Sequence, residues 1–268
     1  MKKSHLFNML LLLASLYLFL TLAIYVSLKW MVFHPQALPE DHRFDFNANF
    51  EELQLPTLDG EQINAIWFPG EVPENTQGLV LYFHGNQGTL QRWARYYETF
   101  VPKGYACLFV DYRGYGKSTG IPTEEGLYQD ALAAWEWAVQ HYEPSDITIF
   151  GRSLGTGVAS YLAAQKQPKQ LILETPYNSI VGVVQAFVPF LWFPVAPSPN
   201  FSNERYLPTI ECPIFIVHGT HDWVVPYRSA KQLRPLLRPK DDFLIIGGGG
   251  HKNLGSYPAY QAWLDEIL

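Results

Sequence analysis

The chain has 268 residues, 48% hydrophobic and 15% aromatic, with a formal net charge of −6, which is ample material for one large core and excludes a disordered chain. The first thirty residues carry Lys2, Lys3 and Lys29 and no acid, so the net −6 of the chain becomes −9 for the remainder. An acidic body with no Lys/Arg run excludes a nucleic-acid-binding surface and a basic membrane-surface patch.

The first predicted element is apolar. Residues 6–28 read LFNMLLLLASLYLFLTLAIYVSL, 23 residues without a charge. At about 1.5 Å per residue they cross roughly 30 Å of hydrocarbon. Lys2 and Lys3 precede the run, and Lys29 with Trp30 closes it in the manner of interfacial anchors. A cleaved signal peptide is the rival, but its apolar core is usually shorter, and no small-x-small cleavage site follows here. Residues 1–30 are therefore read as a single-pass signal-anchor. Lysines ahead of the span favour a cytoplasmic N-terminus and a body on the exoplasmic side, periplasmic or luminal. Residues 31–48, rich in Pro and polar side chains, read as an extended tether.

Residues 49–268 show a regular pattern. Strand-like runs at 50–57 and 62–68 flank Leu58-Asp59-Gly60, a hairpin signal. Continuous apolar runs at 78–84, 105–113, 146–151, 170–175, 213–219 and 242–247 suit strands buried on both faces. Helical patterns fall between them, at about 89–101, 122–142, 154–165, 227–237 and 257–268. The alternation predicts an α/β fold: a mostly parallel eight-stranded sheet with an antiparallel start and helices on both faces. Residues 177–208 interrupt it with VVQAFVPFLWFPVAP, apolar and Pro-broken, and read as a short cap insertion over the strand ends. This segment suits either a lid that binds an acyl chain or ordinary cap packing. Cys107 and Cys212 sit in or beside strand-like runs, without a C-x-x-C pair, and read as free buried thiols.

In such a sheet the site lies at the carboxyl ends of the strands. There stand His84-Gly85-Asn86, Asp111-Tyr112-Arg113-Gly114, Ser153, Glu174-Thr175-Pro176, His218 through Asp222, and His251. Ser153 lies in Gly151-Arg152-Ser153-Leu154-Gly155, between a strand and a helix. A Ser at this position can be a plain N-cap, or a nucleophile exposed on a tight turn that needs both glycines. Among eight histidines, His5 and His34 flank the span, His42 is in the tether and His141 ends a helix. His84 and His218 precede glycines at strand ends, where structural roles suffice. His251 follows IIGGGG in a loop free to reach across the strand ends, and is the candidate base. Asp222 lies between Ser153 and His251 in the chain and is the candidate acid, with Glu174 as fallback. The Leu154 N–H at a helix N-terminus and a donor in HGNQG, Asn86 with Gln87 as second choice, would form an oxyanion hole. GYGKST at 114–119 mimics a P-loop, but the position that needs the first Gly is Asp111. His218, His221 and Asp222 form a single cluster without further ligands, so no metal is expected.

The set HGNQG, DYRGYGKS, GRSLGTG, HGTHDWVVP and GGGGH, in this order, closely resembles the α/β-hydrolase superfamily. With the leading span, the chain looks most like membrane-anchored α/β-hydrolase-domain serine hydrolases. The resemblance implies a Ser153–His251–Asp222 triad acting without a cofactor on a small-molecule or lipid ester or thioester. A serine peptidase or an acyltransferase with the same triad is the alternative within enzymes. A non-catalytic scaffold is the alternative of another class.

Overall fold

The computed structural model describes residues 2–70, 76–193, 195 and 197–268. An eight-stranded sheet is built from β1 (Glu51–Pro56), β2 (Gln62–Phe68), β3 (Leu79–Phe83), β4 (Ala106–Val110), β5 (Ile147–Arg152), β6 (Gln170–Glu174), β7 (Ile214–Gly219) and β8 (Asp242–Ile246). Their order across the sheet is β1-β2-β4-β3-β5-β6-β7-β8. β1, β2 and β4 pair antiparallel, and every later pairing is parallel. The central strands β3 and β4 are buried along their whole length, as their unbroken apolar runs require.

The helices are α1 (Lys2–Val32), α2 (Leu90–Trp93), α3 (Tyr97–Phe100), α4 (Glu124–Ala138), α5 (Leu154–Gln165), α6 (Ile180–Phe187), α7 (Asn203–Tyr206), α8 (Tyr227–Ala230) and α9 (Pro258–Ile267). One core, under α4 and α5, joins Leu127, Ala131, Val158 and Leu162 to the sheet. The other, under α2, α3 and α9, joins Trp93, Phe100, Tyr260 and Leu264 to the opposite face. The expected helix at 122–142 starts at Glu124, because Thr123 caps it by accepting from the Gly126 N–H at 3.0 Å.

Two expected helices are broken. Residues 90–103 alternate α and 3-10 turns and stop at Gly104, whose φ of +85° is left-handed. The helix at 227–237 tightens to 3-10 geometry after Ala230, where Pro235 lacks the N–H an α-turn needs.

The segment at 33–48, read as a tether, lies packed on the domain. Phe33 joins the core that contains α4 and α5, whereas Phe44 and Phe46 join the core on the other face. The segment thus crosses the carboxyl edge of the sheet, pinned where His34 donates to the Asn86 carbonyl and Leu38 to the Gly116 carbonyl. Burial of each phenylalanine contributes about 1.5–3 kcal/mol, which offsets part of the conformational freedom lost when the segment packs down.

Most of the apolar side chains of α1 are exposed, and among the described residues it is the one helix long and apolar enough to cross a membrane. Its last turns differ: Leu28 and Val32 are buried against the domain.

Candidate active site

The β5–α5 turn is folded as tightly as a chain can be. A Cβ on Gly151 would sit 2.6 Å from the Gly155 carbonyl oxygen, and one on Gly155 would sit 2.1 Å from the Phe83 carbonyl oxygen. Both glycines are therefore dictated by close approach of backbone to backbone. Ser153 between them takes φ 52°, ψ −119°, a conformation that costs a non-glycine residue about 1–3 kcal/mol. Its N–H donates to the Glu174 carbonyl at 2.9 Å, and its hydroxyl makes no capping bond to α5. The N-cap alternative is thereby removed. The hydroxyl instead meets His251 Nε2 at 2.9 Å.

The loops after β7 and β8 bring the other two residues in. A Cβ on Gly219 would lie 2.1 Å from the Gly249 carbonyl oxygen, and the His221 N–H donates to that same carbonyl at 2.8 Å. Asp222 Oδ1 accepts from the Val224 and Val225 N–H groups at 2.9 and 2.8 Å, which leaves Oδ2 to meet His251 Nδ1 at 2.7 Å. The Asp222 side chain is fully buried and that of His251 is 12% exposed. Ser153, His251 and Asp222, distant in sequence, thus form one continuous hydrogen-bonded chain. Beneath it, His218 is buried with Nδ1 on the Gly219 carbonyl at 2.9 Å, and burial lowers its pKa. Its Nε2 lies 3.8 Å from Asp222.

Arg152 is buried under this chain. Its guanidinium lies 3.3 Å from Glu174, donates to the His251 carbonyl at 3.2 Å, and bonds the Tyr96 hydroxyl. Burial alone would lower its pKa, but Glu174 and the surrounding tyrosines outweigh that and hold it above its ordinary value. Glu174, the fallback acid, serves this cation and accepts from the Tyr260 hydroxyl at 2.9 Å. Arg152→Met would leave a buried carboxylate unpaired, and is expected to cost about 3–5 kcal/mol in chemical denaturation. Arg152→Met combined with Glu174→Leu is expected to recover most of that loss, which separates the ion pair from the fold.

On the other side of Ser153 stands the His84–Asn86 loop. His84 and Asp111 are both fully buried and approach to 3.1 Å, without the alignment of a hydrogen bond. Burial pushes the Asp111 carboxyl above its ordinary range, and its Oδ2 accepts from the Leu90 N–H at 3.1 Å. Tyr112 and Tyr115 donate to the His84 and Asn86 carbonyls at 2.8 and 2.9 Å. The Asn86 side chain donates to the Val32 carbonyl at 3.0 Å, so its amide is already engaged. Asn86, Ser153 and Leu154 all line one cavity, with Leu154 at the start of α5.

Two cavities meet at Ser153. One, of about 160 Å³, is apolar and lined by Leu28, Val32, Ile180, Val184 and Val225 beside Asn86, Ser153 and Leu154. The other, of about 40 Å³, is lined by Trp93 and by the polar side chains of Gln87, Arg92, Arg152, His251 and Lys252.

A family model described as serine aminopeptidase, S33, matches residues 74–198, which hold Ser153 but neither Asp222 nor His251. An esterase from Pyrococcus furiosus, 17% identical, superposes with a TM-score of 0.71 over 88% of this chain and 96% of its own. The chain belongs to the α/β-hydrolase superfamily. The lysophosphatidylserine lipase ABHD12 of Xenopus tropicalis is 30% identical over 254 residues, 81% of this chain and 66% of that one. The mouse lipase of the same name is 32% identical over 200 residues, 67% of this chain and 50% of its own. The chain thus spans between half and two thirds of the length of these lipases.

Sequence reasoning missed the role of Leu28 and Val32, because apolar side chains at the end of an apolar helix carry no signal of a second job. It also left Arg152 without a partner, although Glu174 at the neighbouring strand end could have been paired with it.

Proposed function

We propose that this protein is a membrane-anchored serine hydrolase that cleaves a lipophilic acyl ester through Ser153, His251 and Asp222. The observation that carries this reading is the chain Asp222 Oδ2–His251 Nδ1 at 2.7 Å and His251 Nε2–Ser153 Oγ at 2.9 Å, ending on a strained, uncapped serine.

The chemistry runs in two halves. His251 Nε2 takes the Ser153 proton as Oγ attacks the acyl carbonyl. Asp222 holds the Nδ1–H tautomer and stabilises the imidazolium. The N–H groups of Leu154 and Asn86 receive the oxyanion, helped by the positive end of α5. Collapse expels the alcohol, protonated by His251. Water activated by the same imidazole then releases the acid and restores Ser153.

The apolar cavity on one side of Ser153 and the polar cleft with Arg92 and Lys252 on the other suit a substrate with an acyl chain and a polar leaving group. The names of the sequence relatives agree with a lipid ester. The family model's name favours a peptidase, and the apolar cavity is the observation against it. The apolar 6–28 run within α1 supports a single-pass anchor for residues 1–30, ahead of a catalytic domain at 49–268 with its cap at about 177–208.

A fluorophosphonate probe is expected to label the full chain in membranes, and Ser153→Ala to abolish labelling. Labelling that survives the substitution would refute the reading. Among nitrophenyl esters and aminoacyl amides, esters are expected to be the faster substrates; preference for amides would favour the peptidase.

A further inference from the structure

The anchor helix does more than precede the domain: it reaches the site and also holds the cap. Leu28, Met31 and Val32 line the apolar cavity at Ser153, facing Ile180, Val183 and Val184 of α6. Further along α1, the Tyr17 hydroxyl donates to the Phe190 carbonyl at 3.3 Å and accepts from the Trp192 N–H at 3.2 Å. The Tyr25 and Phe193 rings meet at 6.5 Å.

Helix length decides what these contacts mean. At about 1.5 Å per residue, the stretch from Leu6 to Tyr17 covers roughly 17 Å, well short of the roughly 30 Å of a bilayer's hydrocarbon. If α1 spans, the hydrocarbon must extend beyond Tyr17, and the cap segment that touches Tyr17 lies at hydrocarbon depth. Irregular backbone is tolerated there only where its polar groups are satisfied by protein. Several of them are satisfied here: besides the two Tyr17 bonds, Gln185 Nε2 donates to the Leu191 carbonyl at 3.2 Å and the Leu191 N–H donates to the Val188 carbonyl at 3.1 Å. The side chains that this segment turns outwards are apolar, with Phe190 67% and Trp192 66% exposed. An exposed patch of this kind beside an apolar helix suits lipid rather than water.

We propose that α1 and the 187–193 segment form one bilayer-embedded wall of the site, so that the cavity at Ser153 opens between α1 and α6 into hydrocarbon. The occupant is the acyl chain of an ester resident in the leaflet, which enters sideways with its carbonyl drawn up to Ser153. The polar headgroup then leaves through the aqueous cleft at Arg92 and Lys252. This rests on the hydrolase reading above and names the route by which its substrate arrives.

Two measurements on the full chain in phosphatidylcholine vesicles test it. With acyl chains brominated near mid-leaflet, tryptophan fluorescence is expected to be quenched, and Trp192→Phe to remove a measurable share of the quenched signal. An identical quenched fraction in both proteins, whether the patch faces water or a second protein, overturns the proposal. Leu28→Trp is expected to lower the ratio of kcat/KM for a sixteen-carbon ester to that for a four-carbon ester at least tenfold. A ratio unchanged within twofold also overturns it. If neither ester is cleaved in a Ser153-dependent way, the hydrolase reading is the one that fails, and the quenching result still reports on the wall.

Discussion

Ser153→Ala is expected to lower kcat by on the order of 10⁴- to 10⁶-fold, and His251→Ala by a similar factor. The double variant should be scarcely worse than either one. The reason lies in the proposed mechanism: with Ser153 Oγ and His251 Nε2 2.9 Å apart, the two side chains would act as one proton-transfer unit, and the second loss would remove nothing that still works. Asp222→Asn tests the third member differently. Val224 and Val225 both donate to Oδ1, so an amide would keep its oxygen there and present its NH₂ to His251 Nδ1. The imidazole would then carry its proton on Nε2, where it cannot accept from Ser153. A loss of about 10⁴-fold in kcat is expected, with little change in folding. Steady-state kinetics on a nitrophenyl ester, beside the denaturation midpoint of each variant, checks all four proteins. If the losses from Ser153→Ala and His251→Ala multiplied in the double variant, the two residues would be acting independently and the triad assignment would fail.

Gly155→Ala is the second large effect, and it acts through shape alone. The added methyl would stand 2.1 Å from the Phe83 carbonyl oxygen and 2.7 Å from that of His84, both main-chain atoms of the central strand and the loop after it. No flexible side chain can yield, so α5 must back away from β3 and carry Leu154 with it. We expect about 3 kcal/mol of lost stability, at the upper end of what overpacking usually costs. We also expect at least a 10²-fold slower reaction with the fluorophosphonate, because shifts of about 1 Å at an attacking atom cost that much. Gly255→Ala is the control: nothing lies within 4 Å of its added methyl, and it should change stability by less than about 0.5 kcal/mol. Thermal melts and labelling rates read both quantities. A Gly155→Ala protein that labels at the wild-type rate would show that the tight turn is not what aims Ser153.

Much of the fold was legible because the signals are local and repeated. Unbroken apolar runs such as 78–84 and 105–113 can be satisfied only inside a sheet covered on both faces, and the intervening helical periods put the candidate residues at its carboxyl edge. The candidate site was legible for a related reason: Ser153, Asp222 and His251 each follow a different strand, so sequence order already constrained where they meet. What escaped depends on contacts between distant segments. The partner of Arg152 needed the β5–β6 register that sets it beside Glu174. The engagement of the Asn86 side chain needed the end of α1, and nothing in HGNQG says that a helix terminus will dock there. The packed course of residues 33–48 depended on which face Phe44 and Phe46 would find, and a Pro-rich composition hides that choice.

The bond from Asn86 to the Val32 carbonyl has a bearing on how the protein can be handled. A helix leaves its last carbonyls unpaired, and here one of them is closed by the loop proposed to receive the oxyanion. Shortening the chain to begin after α1, a common route to a water-soluble protein, would strip that loop of its acceptor along with three of the residues around the apolar cavity. The trimmed enzyme should fold on its sheet yet turn over slowly and with a blurred preference for chain length. α1 thus supplies part of the wall around Ser153, and on the proposed mechanism detaching it would change the site itself.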